Sequence, residues 1–315
     1  MTWTLGEMAS AVGGTLHGPV DAPVEGASID TRSLAPGQAF YAMAGERADG
    51  HDFLGIAAGA GAAVAIVSRK PARPPGLPWI EVSDTTLALQ AAGRALRRRL
   101  SARVIGLTGS CGKTTTKELI AAALSAFGPV SATRGNLNNH LGVPLTISNV
   151  GSGDAYAVVE MGANHPGEIG LLASLADPDV GIVTCVAEAH TEFFGDLAGV
   201  ARAKGELFLA MRGDSVAVVN IDDRMIGAMP TVLSAAQYFQ SKGGVVTISA
   251  GNDGTSYSNA DNAYVLVVSA TDQNDQLATW SNIGNMVDIC APGVNIYLTM
   301  RGGIYGCGSG TSASA

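Results

Sequence analysis

Lys113 stands inside Gly109-Ser110-Cys111-Gly112-Lys113-Thr114-Thr115, where the apolar run 104–107 meets a helical pattern. Those residue types in that order make a phosphate cradle. Glycines let the backbone approach an anion, and the amides at a helix start point at the same place. Lys113 adds a mobile positive charge, and a hydroxyl such as that of Thr114 ligates magnesium. The spacing departs from the commonest phosphate loop in one respect. Leu107 occupies the place, five residues before Gly112, where a glycine is usual.

More residues with chemical potential follow in order. Gly135-Asn136-Leu137-Asn138-Asn139 is a polar turn with amides close together. The apolar stretch 156–159 ends on Glu160, 183–186 leads to His190, and Lys204 lies on a helical pattern over 200–211. A carboxylate and an imidazole at strand ends beside a phosphate loop suit a magnesium nucleotide. Taken singly each is weak, since strand-end histidines and helix lysines more often have structural or solvated roles.

These positions require elements that hold them. Leu119, Ile120, Ala123, Leu124 and Phe127 recur at helical spacing after the loop. From 103 onward, strand and helix patterns alternate, which predicts a mainly parallel sheet covered by helices. The proline-rich segment 69–78 reads as a surface connection, followed by a strand over 79–82 and a helix to residue 100. Arg94, Arg97, Arg98 and Arg99 are expected on a solvated helix face.

The whole chain has 315 residues, 47% hydrophobic and 15% charged, with net charge −8, which suits more than one packed core and argues against a nucleic-acid surface. No apolar stretch is long enough for a membrane span, and nothing reads as a secretory leader. Cys111, Cys185, Cys290 and Cys307 have neither metal-ligand spacing nor a disulfide framework, so thiols in a reducing compartment are expected. Composition changes near Pro230: of the 19 Lys and Arg residues only Lys242 and Arg301 lie in the last 85 positions, which hold seven Asn and ten Ser. Expected domains are 1–100, 101–229 and 230–315.

The loop 108–115, the turn 135–139, Glu160-Met161-Gly162-Ala163-Asn164-His165-Pro166-Gly167-Glu168, the segment 187–195 and Ala203-Lys204-Gly205-Glu206-Leu207-Phe208 together resemble the Mur ligase family. The likeness is greatest to the branch that adds D-Ala-D-Ala to UDP-MurNAc-tripeptide. Ser28-Ile29-Asp30-Thr31-Arg32-Ser33 and the segment 45–53 resemble that branch's uridine-nucleotide domain, and the likeness covers about residues 1–229. The resemblance implies a cytoplasmic, ATP-dependent, amide-forming ligase of peptidoglycan synthesis acting through an acyl phosphate. It implies ATP held by Gly109 to Thr115 with Asn138 and Asn139, and Mg2+ held by Thr114 and Glu160. His190 would hold a second metal ion, and Lys204, if carbamylated, would be a metal-binding anion. Catalytic roles would fall to Lys113, His190 and Lys204, while Ser28, Asp30, Thr31 and Arg32 would face the uridine substrate.

The last 85 residues resemble something else. Segments 245–254, 264–270, 279–284, 287–293 and 308–315 look like the carboxyl-proximal part of a subtilisin-like serine protease. Asn252 would match its oxyanion donor and Ser312 its nucleophile. No histidine follows His190, so the general base that a serine nucleophile needs is missing. The expected architecture is therefore α/β throughout: a small uridine-nucleotide domain, an incomplete parallel sheet carrying the phosphate loop, and a subtilase-like fragment. Ligation is expected to be impaired by truncation, with a protease fragment as the alternative.

Overall fold

The computed structural model describes residues 2–45, 48–73, 75–187, 191–219, 237, 240–241, 245–250, 252–257, 266–285, 287–300 and 304–310. It divides into two compact units, Met1–Ala102 with Phe127–Ala157, and Arg103–Ala126 with Val158–Ala315.

In the first unit the chain runs through β1 (Thr2–Thr4), α1 (Leu5–Val12), β2 (Thr15–His17), β3 (Pro23–Glu25), β4 (Ala27–Ser28) and β5 (Ala39–Tyr41). It continues with α2 (Leu54–Gly59), β6 (Val64–Val67), β7 (Trp79–Glu81) and α3 (Thr85–Arg97). A five-stranded sheet has the order β2-β7-β6-β5-β4, and only β2 is antiparallel to its neighbour. β5 and β6 are buried along their whole lengths, as strands covered on both faces must be. Helix α1 begins in a capping box: the Glu7 amide donates to Thr4 Oγ1 at 3.2 Å and the Thr4 amide to Glu7 Oε2 at 2.8 Å. It stops at Gly13, whose φ of 65° few other residues tolerate.

Helix α3 buries Ala88, Leu89, Ala92 and Leu96 on one stripe. Arg98 and Arg99 are exposed, but Arg97 is buried with that stripe, so the arginines do not share one solvated face. Position 97 lies one residue beyond Leu96, on the edge of the packed face.

The loop strand β8 (Arg103–Thr108) and helix α4 (Lys113–Leu124) open the second unit. β9 (Val130–Ala132) and α5 (Gly142–Ser148) belong to the first, and α5 is buried at every position. Then come β10 (Tyr156–Glu160), α6 (Glu168–Ala176), β11 (Val180–Val183), α7 (Thr191–Phe194), α8 (Leu197–Ala210) and β12 (Val216–Val219). The rest of the second unit comprises β13 (Val245–Ser249), β14 (Ser256–Tyr257), β15 (Leu266–Thr271), β16 (Ile283–Gly284), β17 (Ile289–Pro292), β18 (Ile296–Met300) and β19 (Ile304–Gly308).

The central sheet runs in the order β17-β15-β13-β12-β11-β8-β10, with β8 and the strands from β11 to β17 paired in parallel. The expectation of an incomplete sheet confined to residues 101–229 is corrected by β13, β15 and β17. Val216 pairs with Val245 and Val218 with Thr247, so β13 extends the sheet directly from β12. The cause is local. β13 and β15 are β-branched runs, and Val267, Val268 and Ala270 of β15 are buried; such strands need neighbours on both edges whatever the charge of the surface above them. The residue pattern over 232–242 predicts a helix, and that stretch lies mostly outside the described residues. Among the described residues no helix is long and apolar enough to cross a membrane.

Candidate functional site

Strand β8 delivers the phosphate loop from the middle of the sheet, with Val104, Leu107 and Thr108 fully buried behind it. Gly109 follows at φ 150°, and a Cβ there would overlap Thr184 Oγ1. Only glycine fits so close an approach to β11's exit. Gly112, at φ 76°, caps α4 without a side chain of its own, and the first helical bond runs from the Thr116 amide to Gly112 O at 2.9 Å. The loop is strapped across to the end of β11. Ser110 N donates to Cys185 O at 2.9 Å, Ser110 Oγ to Ala187 O at 3.0 Å, and Thr184 Oγ1 to Cys111 O at 2.7 Å.

The functional side chains meet around that loop. Lys113 Nζ donates to Gly109 O at 2.8 Å, so its ammonium folds back over the turn. Thr114 Oγ1 donates to Glu160 Oε2 at 3.0 Å, and Glu160, at the end of β10, is 2% exposed. Two hard oxygen donors in contact are the donor chemistry magnesium selects, so these residues fit that ion. Thr115 is exposed in the first turn of α4.

Lys204 is 3% exposed on α8, not the solvated helix charge that its sequence context suggests. Burial, reinforced by the charge of Lys113, pushes its pKa down to about 8. Its Nζ lies 5.7 Å from the Phe194 ring centroid, and the carboxylates of Glu206 and Glu168 act in the opposite direction on its charge. Those two carboxylates also build the surroundings. Glu206 accepts from the amides of Gly167 (2.7 Å) and Gly170 (3.0 Å), and Glu168 from that of Asn164 (2.7 Å), which fixes the start of α6. Sequence reading assigned Glu206 no role of its own; its signal was its place in the segment 203–208.

Other expected site residues lie in the first unit. Asn139 Oδ1 accepts from the amides of Leu141 (3.1 Å) and Gly142 (2.9 Å) and so shapes the entry to α5, and the Asn138 amide bonds Asn136 O. The set Ser28, Asp30, Thr31 and Arg32 is divided between two cavities. Ser28 lines one of about 450 Å³ with Gln38, Arg134 and Asn149. Asp30, Thr31 and Arg32 line another of about 800 Å³ with Phe40, Met43 and Phe53. Arg32 grips Asp30 through Nε and Nη2, which holds the Asp30 carboxyl below its ordinary range. Asn149, absent from the sequence reading, bonds Ala27, Gln38 and Leu145 and joins β4 to α5.

His190 and Ser312 lie outside the described residues. Asn252 is exposed in the turn after β13. Among the described residues no three His, Cys, Asp or Glu side chains form a metal-binding group.

A family model described as "Mur ligase middle domain" matches residues 107–286, and one described as "Mur ligase family, catalytic domain" matches 23–95. The chain belongs to the Mur ligase family. The first match crosses Pro230, as the sheet does, and the comparisons give no support for a subtilisin-like segment. The chain is 44% identical over 220 residues to the UDP-N-acetylmuramoyl-tripeptide--D-alanyl-D-alanine ligase of Escherichia coli, covering 70% of this chain and 48% of that one. It is 40% identical over 226 residues to the Bacillus subtilis enzyme of that name, covering 71% and 50%. Among solved structures it resembles MurF from Acinetobacter baumannii, with TM-score 0.68 and 34% identity over 79% of this chain and 53% of that chain. It also resembles MurF ligase from Thermotoga maritima in complex with ADP, with TM-score 0.59 and 30% identity over 71% and 50%. The Mur ligase chain described here thus spans about half the length of the curated relatives it matches.

Proposed function

We propose that this chain serves ATP-dependent amide formation, joining D-Ala-D-Ala to UDP-MurNAc-tripeptide in peptidoglycan synthesis in the cytoplasm. The observation that carries the reading is the Thr114–Glu160 contact at the mouth of a loop that also holds Lys113, in a chain so similar to ligases of that name. A carboxylate is a poor electrophile, because its oxygen is a poor leaving group. In the proposed reaction a carboxylate oxygen of the tripeptide attacks the γ-phosphorus of ATP, and ADP departs. The D-Ala-D-Ala amine then attacks the acyl carbon, loses a proton, and phosphate leaves.

Lys113 and the loop amides have the charge and placement to neutralise the transferring phosphoryl group. Mg2+, held by Thr114 and Glu160, would screen the phosphate charges. His190 is proposed for a second metal ion. Lys204 suits carbamylation: its lowered pKa leaves part of the amine neutral near pH 8, the form that adds carbon dioxide. Asn138 and Asn139 are proposed to contact the nucleotide, and Ser28, Asp30, Thr31 and Arg32 the uridine substrate.

The test is titration of the purified chain with magnesium ADP, beside Lys113→Ala. Binding that falls about a hundredfold in the variant is expected, roughly the effect of removing one preorganised charge stabiliser. Equal affinity in both proteins would refute the role of the loop.

A further inference from the structure

Cys111 and Cys185 are 74 positions apart in the sequence, and the fold brings their sulfurs to 2.8 Å. The contact is built from both sides. The Cys111 amide donates to Cys185 Sγ at 3.3 Å, and Cys185 Sγ faces Cys111 O at 3.4 Å. Thr184 Oγ1 fixes the same carbonyl, and Ser110 N bonds Cys185 O, so backbone on each side holds the two thiols together. Cys111 is exposed and Cys185 half-buried, which gives a small oxidant access.

We propose that Cys111 and Cys185 form a two-thiol modification site that hydrogen peroxide oxidises to a disulfide, locking the phosphate loop to the end of β11. The separation is less than about 1 Å longer than an S–S bond of about 2.0 Å, so closure requires little backbone movement. One thiolate attacks peroxide and becomes a sulfenic acid, releasing hydroxide, which takes up the thiol proton as water. The second sulfur then displaces the sulfenic oxygen, which leaves as a second water. In sum two thiols lose two electrons and two protons, and one peroxide is reduced to two waters.

The lock has a consequence for the loop. In this arrangement the Cys111 amide points at sulfur and Lys113 Nζ points at Gly109 O. To receive a phosphate, both donors must turn toward it; a covalent tie at Cys111 opposes that turn. This consequence rests on the nucleotide reading proposed above, whereas formation of the bond does not.

Trypsin puts each cysteine on its own peptide: 104–113 carries Cys111, 135–202 carries Cys185, 243–301 carries Cys290 and 302–315 carries Cys307. After mild peroxide treatment of the full chain, mass spectrometry should show 104–113 linked to 135–202, and dithiothreitol should reverse it. Magnesium ADP affinity should fall about 10- to 100-fold with the link, as expected when donors to a charged phosphate are withdrawn, and return on reduction. Cys185→Ser should bind ADP as the reduced chain does and form no linked peptide with peroxide. Oxidation confined to the Cys290 and Cys307 peptides, or a sulfinic acid on Cys111 with Cys185 still a thiol, would overturn the site. A linked peptide with ADP affinity unchanged would overturn the lock. If the reduced chain binds no ADP, the ligase reading fails while the linked peptide still upholds the site.

Discussion

The phosphate loop and the Ser28–Arg32 turn both present polar groups to a proposed nucleotide ligand, yet they are held by different means. The loop is positioned by backbone: a buried strand behind it, a glycine wedged against Thr184, and hydrogen bonds to β11's exit. The turn is positioned by side chains: Ser28, 5% exposed, donates its hydroxyl to Asp30 O, and the Arg32 side chain, 88% exposed, grips the Asp30 carboxylate from solvent. A buried strand and a glycine-only approach have few alternative states, whereas an exposed ion pair competes with water and salt. The two regions should therefore respond oppositely to substitution: fold and function fail together at the loop and separate at the turn.

The sharpest way to break that contrast is Gly109→Ala. The new methyl meets Thr184 Oγ1 at a φ of 150°, so destabilisation of about 3 kcal/mol is expected together with loss of ADP binding. Thermal unfolding and ADP titration check both, and an alanine protein with unchanged Tm would mean the loop is less constrained than its backbone implies. Glu160→Gln comes next. Glutamine still accepts from Thr114, so Tm should hold, but the anionic oxygen proposed for magnesium is gone. Magnesium-dependent ADP affinity should drop about tenfold to a hundredfold, the ordinary weight of one charge contact in a dry site. An equal loss measured without magnesium would assign Glu160 to loop geometry instead.

The same contrast explains what was legible in the sequence. Gly109 to Thr115 could be read because the cradle is contiguous, and its chemistry depends on local backbone shape. Glu160 could be placed at a strand end because the apolar run 156–159 stops there. Cys111 with Cys185, Glu206 with the start of α6, and Asn149 with β4 could not. Each joins distant positions through tertiary packing, and none has a spacing rule. The sheet beyond Pro230 was hidden for another reason: composition records the surface, while Val245 and Leu266 find their neighbours through backbone pairing. Lys204 was half legible. Its motif marked it, but its burial depends on how α8 packs.

Lys204→Met probes that burial. Its pKa is 10.5 in the ordinary state and about 8 in the folded chain, so the unfolded chain binds more protons between those values. Stability should therefore rise as pH goes from 8 to 10.5, with the full cost of burying the charge present below pH 8. Methionine removes the charge, so Lys204→Met should be more stable than the parent by about 2 kcal/mol at pH 7, and the rise above pH 8 should vanish. If Lys204 is carbamylated as proposed, phosphoryl transfer from ATP should be lost in the same protein. A parent stability curve flat from pH 8 to 10.5 would refute the cause assigned to the shift.

The smallest effect is expected at the turn. Asp30→Asn removes the partner of an arginine that lies almost wholly in solvent, so thermal unfolding at neutral pH should not change measurably. The turn itself should survive, because the asparagine oxygen can still accept from the Arg32 amide, which Asp30 Oδ1 now holds at 2.9 Å. What changes is Arg32, released from its two-atom grip. If Arg32 serves the uridine substrate, its release should alter affinity for a uridine nucleotide and make that affinity more sensitive to salt, with ADP binding in the second unit untouched. Uridine diphosphate titrated at low and high ionic strength separates these outcomes. A variant that loses Tm and uridine diphosphate binding together would show that the turn, like the loop, is held by its own internal bonds.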